Sequence, residues 1–246
     1  MSFSISYIVK DLTDQFLDIL YPRRCPVCGE IVMPKGALIC GECFGKLSFV
    51  KGPVCKKCGK QVAGESVEYC YDCSRHKHSF EYGLALLNYD EAARHSMARI
   101  KYKNKRQDLD FYAEAVSQRY GASIKRMNAR ALVPVPIHAS RRRQRGFNQA
   151  ELLADGIGRK LGLPVWGDAL TRNKKTAPQK KLSPKERLEN LQQAFEIGTL
   201  PGERDSVILV DDIYTTGSTM EACTRILKAA GVRHVYFLTL CIGQEV

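Results

Sequence analysis

The apolar positions change period along the chain, and each change predicts an element. Ile8, Leu12, Phe16 and Ile19–Leu20 recur at helical spacing, so residues 6–20 are expected to form an amphipathic helix stopped by Pro22. Between residues 21 and 80 the periodicity gives way to Gly, Cys and Lys. Beyond that, strand-like runs alternate with helical ones. Strands are expected over Tyr82–Tyr89, Ala131–Pro136, Val207–Val210 and Val235–Leu240. Helices are expected over Glu91–Ile100, Leu109–Met127, Asn148–Leu161 and Ser218–Ala230. This alternation predicts an α/β domain built on a mainly parallel sheet flanked by helices.

Two domains follow from the break in pattern: a small Cys-rich module over residues 1–78 and a larger domain over 79–246. An apolar content of 44% in 246 residues excludes a disordered tail, a collagen and a stapled mini-protein. No apolar run approaches the ~18 residues of a spanning helix, so no membrane insertion is expected. Lys10, Asp11, Asp14 and Asp18 fall where a signal peptide would be uncharged. The expected location is cytoplasmic, reaching a membrane only peripherally through partners. Thiols stay reduced there, so ten cysteines point to metal rather than disulfides.

Four CxxC pairs begin at Cys25, Cys40, Cys55 and Cys70. Two CxxC turns complete one tetrahedral Zn(Cys)4 site, so eight thiolates make two. The even spacing permits sequential or interleaved partners. Gly29 follows Cys28 and Gly59 follows Cys58, whereas Phe44 and Ser74 follow the other two pairs. That favours Cys25, Cys28, Cys40 and Cys43 for one zinc and Cys55, Cys58, Cys70 and Cys73 for the other. Each glycine would serve a tight turn with positive φ. Four-thiolate sites leave no open coordination position, so the metal's expected role is structural. So small a module has little core of its own, and metal would decide whether it folds. His76 and His78 are expected to be solvated, and Cys223 and Cys241 to be buried apolar residues.

The charge sharpens this picture. Lys+Arg 38 against Asp+Glu 26 leaves a formal net charge of +12, which suits a polyanionic partner or a phosphorylated ligand. Each Zn(Cys)4 site carries −2, so two of them lower the sum to about +8. Residues 131–206 hold 14 basic and 8 acidic side chains, half of the formal excess. The surface for a polyanion is therefore expected on the larger domain.

The most informative stretch is Val207–Thr219, reading VILVDDIYTTGST. An apolar strand ends at Asp211-Asp212, and a short hydroxyl-rich loop around Gly217 opens directly into a helix. Ligands of open α/β sheets bind beyond the carboxyl ends of strands, and a helix N-terminus favours an anion. Thr215, Thr216, Ser218 and Thr219 add donors, while the acids suit sugar hydroxyls or hydrated Mg²⁺. Together these fit a sugar phosphate. An ordinary helix cap would account for one hydroxyl, not for four beside an acid pair.

Other motifs accompany it. Val133–His138 ends a strand in a proline-stiffened turn, and a basic loop with Arg141, Arg142, Arg143 and Arg145 follows, leading to Gly146-Phe147-Asn148-Gln149. The polar stretch from Arg172 through Gln179 to Arg187 and Phe195 has the character of a lid that excludes water. Arg99, Lys101, Lys103, Lys105 and Arg106 surround Tyr102, a pattern suited to single-stranded DNA. Gly156, Gly158 and Gly162 are spaced GxGxxxG late in a helix and are read as helix interior and helix end, not as a dinucleotide loop.

The VILVDDIYTTGST stretch resembles the PRPP-binding motif of type I phosphoribosyltransferases. The resemblance implies that Asp211 and Asp212 hold the ribose hydroxyls, help place Mg²⁺ and act in catalysis, while Thr215, Thr216, Gly217, Ser218 and Thr219 cradle the 5′-phosphate. The wider arrangement is similar to the ComF family, with its ComFC-like and GntX-like members: front cysteines, PVPIHASRRRQRGFNQAE, a TAPQ segment, then the PRPP motif. It implies a phosphoribosyltransferase-like fold with an N-terminal zinc-ribbon-like module. His138, Arg141, Arg145, Asn148, Gln149, Gln179 and Arg187 become candidates for pyrophosphate or lid contacts. For competence members it implies a role in taking up single-stranded DNA, with the helicase-like ATPase ComFA as partner. A metabolic PRPP-dependent transferase acting on a nitrogen acceptor is the competing expectation.

Overall fold

A computed structural model describes residues 21–173 and 193–244 of the chain. The helix expected over residues 6–20, and the lid positions Gln179 and Arg187, lie outside the described residues. The elements in order are α1 (Gly41–Lys46), α2 (Tyr71–Arg75), β1 (Gly83–Asn88), α3 (Glu91–Lys103), α4 (Asp108–Arg126), β2 (Ala131–Pro134), α5 (Ala139–Arg145), α6 (Gln149–Leu161), β3 (Leu170–Arg172), β4 (Phe195–Ile197), β5 (Ser206–Tyr214), α7 (Ser218–Ala229) and β6 (His234–Ile242).

The sheet order is β1-β6-β5-β2, and every neighbouring pair is parallel. The central strands read as continuous apolar runs because both faces are covered. On one face Ile208, Val210, Leu238 and Leu240 pack with Met97 and Ile100 of α3, Tyr112 and Val116 of α4, and Leu153 and Ile157 of α6. On the other, Val207, Leu209, Val235 and Phe237 pack with Cys223 and Leu227 of α7, and with Leu170 and Phe195 of the antiparallel β3–β4 pair. Local chemistry fixes the ends: Asp90 caps α3 by accepting from the Ala93 N–H at 2.8 Å.

The two four-cysteine loops straddle the β1 edge. Cys25, Val27, Val32 and Cys43 of the first loop join the core on the α3–α4 face, whereas Cys55, Cys58, Val62 and Cys70 of the second join the α7 face. The segment between them lies along β1 as an extra edge strand. The Val50 N–H donates to the Leu86 carbonyl at 3.0 Å, the Asn88 N–H donates to the Ser48 carbonyl at 2.8 Å, and Phe49 bridges Leu87 in the antiparallel sense. The division expected at residues 78 and 79 is thus crossed by backbone hydrogen bonds.

Several expectations need correction. β5 does not stop at Val210 but stays paired with β6 to Tyr214↔Ile242, so the acid pair lies within the strand. β2 is shorter than expected: it ends at Pro134, before Pro136. The arginine run is not a loop but the helix α5, closed by Gly146 at φ 77°. The β3–β4 pair has no expectation behind it. Gly156 and Gly158 are close-approach positions: a Cβ at Gly156 would lie 2.8 Å from the Ala113 methyl of α4, and one at Gly158 would lie 2.6 Å from the Leu163 carbonyl. His78 is not solvated. Its side chain is 7% exposed and stacks on Phe80 with ring centroids 4.8 Å apart. Cys223 and Cys241 are fully buried.

Candidate functional site: an acid pair and phosphate loop beside a double zinc ribbon

The loop after β5 is set by Gly217. It adopts φ 76° in front of α7, and a Cβ there would overlap the Tyr214 hydroxyl, so only glycine fits. Tyr214 is itself 3% exposed and stacks on Phe237 at 4.9 Å with 4° between the rings. No side chain caps α7: its N-cap is Gly217. The loop hydroxyls instead bond among themselves, with Thr216 Oγ1 and Ser218 Oγ 2.9 Å apart, and Thr215 and Thr216 are exposed. A 12-residue helix thus opens on the loop without a side-chain cap, an arrangement that favours an anion.

Because Asp211 and Asp212 lie within a strand, they face opposite sides of the sheet. Asp212 is buried and forms an ion pair with Lys101, at the end of α3. Asp211 is on the α7 side, where its charge acts on Cys223 and Arg172. Desolvation, and then the neighbouring Asp212 carboxylate, raise the Asp211 carboxyl well above the ordinary carboxylate range, although its Oδ1 accepts from the Asp212 N–H at 2.8 Å. Arg172 stacks on Phe195 at 5.0 Å, and burial followed by the nearby Arg141 pulls its pKa down. The mouth thus gathers Asp211, Asp212, the loop, Lys101, Arg141 and Arg172. The sequence pattern assigns Lys101 to DNA and Arg172 only to the start of the lid stretch. The 2-residue alternation of a strand that continues through the acids was the signal that could have separated them.

Other expected residues are occupied structurally. His138 caps α5, its Nδ1 accepting from the Ser140 N–H at 3.2 Å. Asn148 caps α6 and donates to the Val135 carbonyl at 3.0 Å. Gln149 accepts from Arg145 at 3.1 Å, and Arg145 lies over the Tyr102 ring at 5.4 Å. Arg99 is 8% exposed and sits 3.7 Å from the buried Asp108, so it forms no part of a DNA-facing surface. Tyr102 is 72% exposed and adjoins Lys103 in the chain, while the Arg106 guanidinium lies over the Phe147 ring at 4.8 Å.

The cysteines form two groups, Cys25/Cys28/Cys40/Cys43 and Cys55/Cys58/Cys70/Cys73, whose sulfurs lie within 4.8 Å of one another. The partners are sequential. The Cys28–Cys40, Cys25–Cys40 and Cys58–Cys70 sulfurs are 3.9, 3.7 and 3.6 Å apart. A tetrahedron with Zn–S of ~2.3 Å has edges of about 3.8 Å, so both groups fit zinc. Gly29 and Gly59 take φ 86° and 76° in the first knuckle of each group. Cys40 and Cys70 stand at the N-caps of α1 and α2.

Sheet, loop and acid pair define a domain of the phosphoribosyltransferase class, carried with a double zinc ribbon. Residues 16–74 match the model of the double zinc ribbon domain, and residues 149–245 match that of the phosphoribosyl transferase domain. The chain is 30% identical to competence protein F of Haemophilus influenzae over 218 residues, 80% of this chain and 93% of that protein. It is 28% identical to competence protein ComFC of Bacillus subtilis over 199 residues, 78% and 79% of the two chains. Over 110 residues it is 37% identical to the DNA utilization protein YhgH of Escherichia coli, covering 45% of this chain and 48% of that one. The chain belongs to the ComF family. No helix among the described residues is long and apolar enough to cross a membrane.

Proposed function

We propose that the chain is a competence-related accessory protein for the uptake or processing of single-stranded DNA, and that its α/β domain binds PRPP with Mg²⁺. The observation that carries the PRPP reading is the uncapped start of α7 behind a glycine-only loop, next to an acid pair. Thr215, Thr216, Ser218 and Thr219 with the first N–H groups of α7 would hold the 5′-phosphate. Asp211 and Asp212 would meet the ribose hydroxyls and Mg²⁺, which requires Lys101 to release Asp212 and Asp211 to ionise. Arg141 and Arg172 supply charge for the pyrophosphate. Positioning and electrostatics would then carry any transfer at the anomeric carbon.

The names of the competence and DNA-utilization relatives support the DNA role. The surface that suits a single strand is the exposed Tyr102 flanked by Lys103 and Arg145. It borders a groove of about 510 Å³ lined by Tyr21, Arg24, Asn104, Lys105 and Arg106. A helicase-like competence ATPase of the ComFA type is the expected partner. The intact acid pair and loop also favour the metabolic alternative, a transferase acting on a nitrogen acceptor.

Calorimetry with PRPP and Mg²⁺ tests the shared element. Wild type should bind and the Asp211→Ala/Asp212→Ala double variant should lose binding. A wild type that takes up no PRPP would overturn the assignment.

A further inference from the structure

The two four-cysteine loops repeat one backbone, so the differences between them lie in side chains. The Cys25 N–H donates to the Glu30 carbonyl at 2.8 Å, and the Cys55 N–H to the Lys60 carbonyl at 2.7 Å. The Phe44 N–H donates to the Cys40 carbonyl at 3.0 Å, and the Ser74 N–H to the Cys70 carbonyl at 2.9 Å. In this register Glu30 matches Lys60, and Glu42 matches Asp72.

In the second loop Lys60 is 4% exposed, and its Nζ donates to Asp72 Oδ2 at 2.9 Å. Its charge also acts on Cys70 and Cys58. A buried ammonium offsets part of the −2 charge of a Zn(Cys)4 site and lowers the nucleophilicity of the thiolates it stabilises. In the first loop both matched positions are exposed acids: Glu30, and Glu42, which pairs with the exposed Lys46 at 2.5 Å. The sulfurs differ in the same direction. Cys55, Cys58 and Cys70 are buried and Cys73 is half-buried, whereas in the first group Cys28 is exposed and Cys40 half-buried.

The attachment of the loops differs as well. The second knuckle is fastened to the β1 backbone: the Gly83 N–H donates to the Lys57 carbonyl at 2.9 Å, and a Cβ at Gly59 would lie 2.7 Å from the Gly83 carbonyl oxygen. The first knuckle is met by side chains. His95 Nδ1 lies 3.1 Å from the Val27 carbonyl, Arg24 Nη1 donates to the Gly29 carbonyl at 3.1 Å, and the Arg99 guanidinium fills the space beside Gly29.

We propose that the two zinc sites are unequal: the first is a thiol-modification site, open to peroxides at Cys28 and able to give up its metal, whereas Lys60 helps to lock the second. The Cys28 thiolate attacks a peroxide oxygen, the O–O bond breaks, and a sulfenic acid forms as hydroxide leaves. The Cys40 thiolate, with its sulfur 3.9 Å away, then attacks the oxidised sulfur. A disulfide forms and a second hydroxide leaves, so two thiolates are oxidised and one peroxide is reduced. Cys25 and Cys43 remain as thiolates, too few to hold zinc in a four-thiolate site.

The test uses the full zinc-loaded chain and hydrogen peroxide, with a chromophoric chelator to record zinc release. One zinc should leave at least about tenfold faster than the other, the range over which groups around the ligands tune a metal site. Alkylation of the remaining thiols and mass spectrometry at the end of the fast phase should place the disulfide between Cys28 and Cys40. Lys60→Gln should speed loss of the second zinc by about tenfold or more, and Glu30→Lys should slow loss of the first. If Lys60→Gln does not load both zincs, Glu30→Lys, at an exposed position, carries the test. Release of both zincs at one rate, earlier release of the second, or a fast phase that leaves Cys28 reduced would overturn the proposal. A loaded Lys60→Gln variant with unchanged release would remove Lys60 from it, as would an unchanged first phase in Glu30→Lys for the role of charge.

Discussion

Lys101 reaches from the end of α3 to form an ion pair with Asp212 inside β5, and the two side chains are 16% and 9% exposed. A carboxylate predicted to face a sugar is thus held by a cation that the sequence placed on a DNA surface. Breaking a buried pair on one side is costly because the other charge is left uncompensated. Lys101→Met is expected to lower stability by about 3 kcal/mol, read as a shift in the urea midpoint with zinc saturating. Lys101→Met/Asp212→Asn should recover more than half of that loss. Equal losses in the single and double variants would show that the pair is not coupled.

Glu221 gives a pH dependence of defined sign. It lies in the first turn of α7 and accepts from the Ser79 N–H at 2.7 Å, Ser79 Oγ at 2.8 Å and Arg225 at 2.6 Å, with the His78 ring 3.8 Å away. Burial alone would push its pKa up. The donors outweigh burial and hold it at about 2, against 4.5 unperturbed. A depressed acid stabilises the fold above its unfolded pKa and loses that contribution as pH falls towards the folded one. The contribution, about 3 kcal/mol, should be complete above pH 4.5 and disappear between there and pH 2. Glu221→Gln should cost that amount at pH 7 and flatten the acid limb of the stability curve. A parallel acid limb in the variant would assign the pH dependence to other groups.

The second zinc site should matter more to the phosphate loop than the first. Tyr214 supports Gly217 from one side, and burial followed by the thiolates of Cys58, Cys73 and Cys70 raises its phenol pKa on the other. Cys55→Ser/Cys58→Ser is expected to weaken PRPP binding by at least about tenfold, because a 1 Å displacement of positioning groups can cost more than that. Cys25→Ser/Cys28→Ser should have a smaller effect. Zinc content by atomic absorption and PRPP affinity by calorimetry measure both, and a reversed order would contradict this coupling.

For single-stranded DNA, Lys103→Ala/Lys105→Ala should reduce the slope of log affinity against log salt by about 0.7 for each phosphate that is no longer neutralised. Tyr102→Ala should weaken binding by about 1–3 kcal/mol with no change in that slope. Arg99→Ala should leave the slope unchanged and lower stability instead, since Arg99 is buried beside Asp108. Filter binding over a salt series with the three variants separates these outcomes. A slope change in the Arg99 variant would put that side chain back on the DNA surface.

Much of the fold was legible because periodicity is a local property. The strands around Leu84, Leu132, Leu209 and Leu238 carry continuous apolar runs, and Gly29 and Gly59 mark the sequential cysteine pairing in the sequence itself. What escaped depends on tertiary contacts. The β3–β4 pair has only three residues in each strand, too few for a period to register. α5 contains four arginines and no apolar face, so its pattern is that of a loop. His78 is drawn inside by Phe80 and Glu221, the latter 143 positions away in the chain. The roles of Lys101 and Arg172 follow from which ends of which helices and strands converge at the mouth, which no single window of sequence records.

The segment Leu47–Lys51 also bears on self-association. It occupies the outer edge of β1, where a bare row of backbone N–H and C=O groups would invite pairing with another molecule. An α/β domain expressed from residue 79 onward would carry that row uncovered and tend to associate edge to edge. If zinc shapes the flanking loops, its loss should uncover this edge, so that stripping the metal promotes edge-to-edge association even where PRPP is absent.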